Sequence, residues 1–164
     1  ATLRHYRDTV TLYIARFRIM SAYKHILIGL DLSPESQEVI DRVKFLFGHS
    51  DTKISICHIL EPLAFTYGGD ILVDLSDVQT QLQDQAATRL STLAAQLNVS
   101  EDNQHVILGH PAQEMHNMAD LQQMDLIVVG SHGRHGLALV FGSTSSSVLH
   151  GASCDVLAVR ISNN

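Results

Sequence analysis

Residues 125–144 read Asp-Leu-Ile-Val-Val-Gly-Ser-His-Gly-Arg-His-Gly-Leu-Ala-Leu-Val-Phe-Gly-Ser-Thr. Residues 126–129 form an unbroken apolar run, and three of these four residues are β-branched. Such a run is typical of a parallel strand that is buried on both faces of a sheet. The sequence therefore predicts a central parallel strand that contains Val129 and ends at Gly130.

Glycines and hydroxyl side chains follow this strand. Gly130, Gly133 and Gly136 are expected to allow positive φ angles and a close backbone approach to a ligand. The next helical pattern opens with Gly142-Ser143-Thr144, and a helix N-terminus attracts anions. The glycines fit neither a P-loop nor Gly-x-Gly-x-x-Gly, so simple chain turning is the alternative. The combination predicts a phosphate site at the carboxyl edge of a parallel sheet.

The composition indicates one globular domain. The chain has 164 residues, 45% of them hydrophobic and 17% charged, with a formal net charge of −6. An acidic surface repels phosphate backbones, so nucleic acid is not an expected partner. No apolar run reaches the roughly 18 residues of a membrane span. Cys57 and Cys154 suggest no disulfide framework, and a cytoplasmic location is expected.

Residues 1–19 differ from the remainder of the chain. They contain four arginines and one aspartate, a net charge of +3. The strand pattern begins only after Met20, so we expect residues 1–19 to be a dispensable extension and residues 20–164 to form the domain. Apolar residues at helical spacing leave a packing or partner helix as the alternative.

Strand and helix patterns alternate along the domain. The first strand ends at Asp31, and Ser33-Pro34 is a helix-start signal. Apolar residues then recur on one face of a helix up to Leu46 and Phe47. Residues 62–74 show little periodicity and are expected to form a loop over the site. The remaining predicted strands are residues 53–60, 104–108 and 154–161, with helices over residues 75–97 and after Pro111.

This order is βαβαβαβαβ, which predicts an α/β fold: a single doubly wound domain with a five-stranded parallel sheet and helices on both faces. Of the usual strand orders, 3-2-1-4-5 suits five strands best. The switch point then lies between the first and fourth strands. Asp31 and Gly130 are therefore expected to face each other across one crevice.

Several short motifs within residues 21–161 together resemble the universal stress protein family. They include an acid after the first strand, a histidine at the end of the second, and glycines after the fourth. In chain order they are Tyr23-Lys-His-Ile-Leu-Ile28, Asp31-x-Ser33, His58, Gly109-x-Pro111, Gly130-Ser-His-Gly133, Gly142-Ser143 and Cys154-Asp-Val-Leu-Ala-Val159.

The resemblance implies a nucleotide site that holds ATP or AMP, with Mg²⁺ as a candidate companion. In nucleotide-binding members the acid after the first strand contacts ribose, and here it is Asp31; simple capping of the following helix is the alternative. The residue after the strand-two histidine borders adenine, here Ile59. The implied phosphate and strand-end contacts are Val129, Gly130, Gly133, Gly142, Ser143 and Thr144.

Two functions remain open. Eight residues separate Gly133 from Gly142, whereas the nucleotide-binding pattern of the family has nine. The shorter loop resembles a subgroup that includes universal stress protein A itself and is not thought to bind ATP. The chain is therefore expected to be a nucleotide-binding regulatory protein of the stress response, or else a nucleotide-free dimeric interaction protein. Neither function is enzymatic beyond very slow ATP hydrolysis.

Other chemistries have weaker support in the sequence. His132 and His135 form a lone His-x2-His pair without further ligands, so no metal site is predicted. The serines from Ser143 onward fit helix capping better than nucleophilic attack. Adenylyl transfer would require basic residues after the first strand, and Leu32-Ser33-Pro34 provides none.

A homodimer is expected through the fifth strand. In the order 3-2-1-4-5 this strand lies at an edge, and residues 156–161, from Val156 to Ile161, are apolar except Arg160. Exposed edges of this kind recruit another strand. Pairing about a two-fold axis is the commonest closed arrangement. An additional protein partner is expected but not identified.

Overall fold

A computed structural model describes residues 22–63, 66–67, 71–72, 75–132 and 142–161. Residues 1–19, Gly133, His135 and Gly136 lie outside these ranges, so the predictions for them stay predictions. The strands are β1 (His25–Gly29), β2 (Lys53–Leu60), β3 (Thr66–Tyr67), β4 (Ile71–Leu72), β5 (Gln104–Leu108), β6 (Leu126–His132) and β7 (Asp155–Ile161). The helices are α1 (Ser36–Phe47), α2 (Ser76–Ala95), α3 (Pro111–Leu121) and α4 (Ser143–Gly151), and a 3-10 turn spans Glu101–Asn103.

The main sheet is parallel throughout and has the order β5-β2-β1-β6-β7. Counted along the chain without β3 and β4, this is the predicted order 3-2-1-4-5, and the predicted fold class is confirmed. β1 and β6 are neighbours in register, with Ile26 opposite Leu126 and Gly29 opposite Val129. Their carboxyl ends therefore lie side by side at the switch point, where open α/β sheets bind ligands.

Both faces of the sheet are covered by helices, which explains why the central strands are continuous apolar runs. On one face, Ile28 and Val128 pack in a core with Val39 of α1 and Leu90 of α2. On the other face, Ile127 packs with residues of α3 and α4. Members of this second core include Leu27, Cys57, Met115, Met118, Val129 and Val148.

The sequence expectations for residues 62–74 and for Leu46 are wrong. The predicted loop over residues 62–74 contains the antiparallel pair β3 and β4, in which Tyr67 pairs with Ile71. Leu46 was expected on the apolar face of the first helix, yet its side chain is 46% exposed. No helix in the described ranges is long and apolar enough to cross a membrane.

Candidate functional site

A cavity of about 250 Å³ opens at the carboxyl edge of the sheet, between the ends of β1, β2 and β6 and the start of α4. It brings together seven of the eight residues predicted for the site; the eighth, Gly133, lies outside the described residues. The seven lining residues are Asp31, Ile59, Val129, Gly130, Gly142, Ser143 and Thr144. Four sequence-distant segments therefore meet at one cavity.

Asp31 organises the turn between β1 and α1. Its Oδ1 accepts hydrogen bonds from the Ser33 amide (3.0 Å), the Ser33 hydroxyl (2.7 Å) and the Ser36 hydroxyl (2.9 Å). The helix begins at Ser36 and not at the predicted Ser33-Pro34. Glu35 is the N-cap residue and makes no side-chain cap hydrogen bond, while the Ser33 hydroxyl donates to Asp31. Asp31 thus supports the helix entry and also lines the cavity with an exposed carboxylate.

His58 closes the gap between the ends of β1 and β2. The Leu30 amide donates to the Cys57 carbonyl at 3.0 Å, and the Leu30 carbonyl then lies 2.7 Å from Nδ1 of His58. The imidazole lines the cavity beside Ile59. The His58 side chain therefore contacts the Leu30 carbonyl just after the end of β1, where β1 and β2 separate.

Gly130 lines the cavity, but it is not the end of its strand, which the sequence predicted it to be. The strand does not end there: β6 continues to His132, and Gly130 pairs with Val159 of β7 in extended conformation. A Cβ atom at this position would lie 2.6 Å from Cδ1 of Ile161 and 3.2 Å from Cγ2 of Val39. A side chain at this position would therefore force Ile161 or Val39 to shift, and no turn is made at Gly130.

The start of α4 forms the opposite wall of the cavity. Gly142 is the N-cap residue, with φ −54° and ψ 155°, and its carbonyl accepts from the Ser146 amide at 3.0 Å. Ser143 and Thr144 are exposed, whereas Ser145 is buried and donates its hydroxyl to the Gly130 carbonyl at 2.7 Å. This bond ties the helix start to β6. The predicted helix start at Gly142-Ser143-Thr144 is confirmed.

The charge of the cavity wall is low. Among its described lining residues, the ionisable ones are Asp31 and His58, and none is Lys or Arg. Anionic groups would thus meet amides at the α4 N-terminus and nearby hydroxyls, which are suited to phosphate. Within the described ranges, no group of three or more His, Cys, Asp or Glu side chains is arranged to hold a metal ion.

Sequence reasoning missed several lining residues. Ser36 and Ser145 are hydroxyls turned inward from helix starts, and both are almost fully buried. Their only sequence signal is a small polar residue at an otherwise apolar position of a helix. Met115 also lines the cavity, and a Cβ at Gly29 would lie 2.4 Å from its sulfur. Gly29 therefore allows α3 to approach the end of β1.

Comparison with known proteins gives consistent results. A model of the universal stress protein family matches residues 22–160. Universal stress protein A homolog 2 of Coxiella burnetii is 43% identical over 144 residues, which cover 87% of this chain and 98% of that protein.

Solved structures share the fold. A universal stress protein in complex with cAMP has a TM-score of 0.60 and 22% identity, covering 87% of this chain and 100% of its own. Universal stress protein UspA from Lactobacillus plantarum has a TM-score of 0.59 and 22% identity, covering 85% and 99%. At this level of identity the likeness extends to the fold alone.

Proposed function

Because this chain belongs to the universal stress protein family, we propose that it is a cytoplasmic regulatory protein of the stress response that binds an adenine nucleotide, ATP or AMP, at the carboxyl edge of its sheet. The observation that carries the proposal is the cavity at the switch point. Its wall joins an acidic strand end, an apolar strand end and a helix N-terminus. A family relationship alone would not assign the ligand, so the proposal depends on this site.

Each part of an adenine nucleotide has a suitable surface. Ile59 and Val129 provide an apolar wall for the base, and Asp31 provides a carboxylate for ribose hydroxyls. Gly142, Ser143 and Thr144 provide amides and hydroxyls for phosphate at a helix N-terminus. The complex of a related fold with cAMP supports the same ligand class. Because no Lys or Arg occurs among the described lining residues, we expect Mg²⁺ to accompany the phosphates of ATP.

The test is calorimetric titration of the protein with AMP and with ATP plus Mg²⁺. Gly142→Val is the informative variant, because Gly142 lines the cavity and a Cβ at this position would meet no atom of the described residues within 4 Å. Ser147→Val is the matched control, since Ser147 is exposed on the same helix and does not line the cavity. Wild type and control should bind, and Gly142→Val should weaken binding at least about tenfold. Absence of wild-type binding to both nucleotides would contradict the proposal.

A second proposal concerns assembly, and it applies with or without a nucleotide. β7 lies at the sheet edge, and Val156, Leu157 and Ala158 are only partly buried. The Val159 carbonyl accepts from the Ser131 hydroxyl on β6 at 3.3 Å, so it is turned toward the sheet. In a parallel strand successive residues alternate in the direction of their amides, which leaves the Ala158 amide at the outer edge. We propose a homodimer through this edge, with the nucleotide-free interaction protein as the alternative function.

The proposed role is regulatory. The bound ligand would stabilise the junction of β1, β6 and α4 and so change the surface offered to a protein partner. ATP hydrolysis, if present, is expected to be very slow, because Asp31 and His58 are the ionisable groups among the described lining residues.

A further inference from the structure

His58 carries a second nitrogen that the fold does not use. Its Nδ1 lies 2.7 Å from the Leu30 carbonyl oxygen. Its Nε2 has no hydrogen-bond partner in the part of the chain that the structure describes, and it is open to solvent. His58 is one of the residues that line the cavity, as Asp31 and Ile59 also do.

The Leu30 contact defines the tautomer of the imidazole. A carbonyl oxygen accepts hydrogen bonds and does not donate them, so the proton must be on Nδ1 of His58. In a neutral imidazole the other nitrogen then carries a lone pair. In that neutral form Nε2 is a hydrogen-bond acceptor, on a side chain that the Leu30 carbonyl holds in the wall of a cavity of about 250 Å³.

We propose that Nε2 of His58 accepts a hydrogen bond from an N–H or O–H donor of the bound nucleoside, and that this contact selects ligands that carry the donor. The inference rests on the proposed function and names a specificity-determining residue within it. A ligand that lacks the donor would leave the acceptor buried and unpaired, which lowers its affinity more than a lost contact at an exposed site. The adenine 6-amino group and the ribose hydroxyls are the two sources of such a donor.

The variant His58→Asn isolates this role. An asparagine side-chain NH₂ reaches approximately the position of Nδ1, so it can still donate to the Leu30 carbonyl, but it places nothing at the position of Nε2. His49→Asn is the matched control, because His49 is exposed and does not line the cavity. We expect His58→Asn to keep the wild-type melting temperature within a few degrees and to weaken AMP binding about three- to tenfold, whereas His49→Asn should bind as wild type does.

Ligand analogues distinguish the two donor sources. Wild type and His58→Asn are titrated with purine riboside monophosphate, which lacks the 6-amino group, and with 2′-deoxy-AMP and 3′-deoxy-AMP. The analogue that lacks the contacted donor should bind wild type and variant equally, while the other analogues should retain the wild-type advantage. This equality is a coupling between one side chain and one ligand group, which a purely structural role of His58 would not produce.

The results separate this inference from the proposed function. If wild type binds no adenine nucleotide, the proposed function fails and the inference fails with it. If wild type binds AMP and His58→Asn binds it equally well, the inference alone is overturned. A second measurement does not depend on the variant: the ring ¹⁵N shifts of His58 should identify the Nδ1–H tautomer in the free protein, and the Nε2–H tautomer would overturn the inference.

Discussion

Gly130→Ala is predicted to destabilise the junction of β6, β7 and α1. The new Cβ would lie 2.6 Å from Cδ1 of Ile161, and 3.2 Å from Cγ2 of Val39. Ile161 is 4% exposed and Val39 2%, so neither side chain can turn away into solvent. The clash must be relieved by a shift within the core, which is closely packed.

The magnitude follows from two opposing contributions. Overpacking of a core by one methyl group costs about 1–3 kcal/mol of the free energy of unfolding. Replacing glycine by alanine also reduces the conformational entropy of the unfolded chain, which raises the free energy of unfolding by about 0.4–1 kcal/mol. The expected net loss for Gly130→Ala is about 1–2 kcal/mol, or roughly 2–8 °C in melting temperature for a chain of this size.

A double-mutant cycle in urea tests the assigned cause. Ile161→Val deletes Cδ1, the atom 2.6 Å from the added Cβ, and alone should cost about 0.5–1.5 kcal/mol. In the double mutant the clash is largely removed, so its loss should be smaller than the sum of the single losses by about 1 kcal/mol. Gly142→Ala is the control, since its Cβ would meet no atom within 4 Å in the part of the chain that the structure describes. Additive losses, or a Gly130→Ala protein as stable as wild type, would refute the packing role of Gly130.

Three further predictions concern other regions. Burial, and next Lys53, lower the pKa of His25 and of His105 from the ordinary 6.5, so the folded state binds fewer protons than the unfolded chain in acid. The stability that depends on these two neutral histidines should therefore be fully present above pH 6.5 and should decrease as the pH falls below 6.5. In His105→Gln the melting temperature should fall less steeply with decreasing pH than in wild type. An equally steep fall would contradict this prediction. Ala158→Pro should weaken the dimer in sedimentation while Ala158→Val, which keeps the amide, should not; a monomeric wild type at micromolar concentration would exclude the interface. A chain that starts at Met20 should melt within a few degrees of the full chain, and a larger loss would mean that residues 1–19 pack on the domain.

The sheet could be predicted because its signals are local. Each central strand is a continuous apolar run, and the alternation of strands and helices restricts the topology to few solutions. The extent of β6 could not be predicted, because Ser131 and His132 interrupt the apolar run. They are strand residues only because β7 pairs with them as far as Ile161. The length of β6 is thus determined by its neighbour.

The candidate site was predictable to a similar degree. Asp31, Ile59 and Gly142 could be brought together because the carboxyl ends of parallel strands share one sheet edge. The inward-facing hydroxyls of Ser36 and Ser145 could not be placed from the sequence. Ser36 donates to Asp31 in the preceding turn, and Ser145 donates to the Gly130 carbonyl, which lies fifteen residues earlier in the chain. The helix-start signal at Ser33 was also misleading: the helix begins at Ser36, and the Ser33 hydroxyl donates to Asp31 in the preceding turn.

The most direct test of nucleotide binding is an NMR titration of the ¹⁵N-labelled protein with AMP. If AMP binds in the cavity, the amides of Asp31, Ile59 and Ser143, which line it at the carboxyl edge of the sheet, should show saturable shifts. The amides of Lys53 and Gln104, at the opposite ends of their strands, should remain unchanged. Shifts confined to residues outside the cavity, or no shift at millimolar AMP, would contradict nucleotide binding at this site.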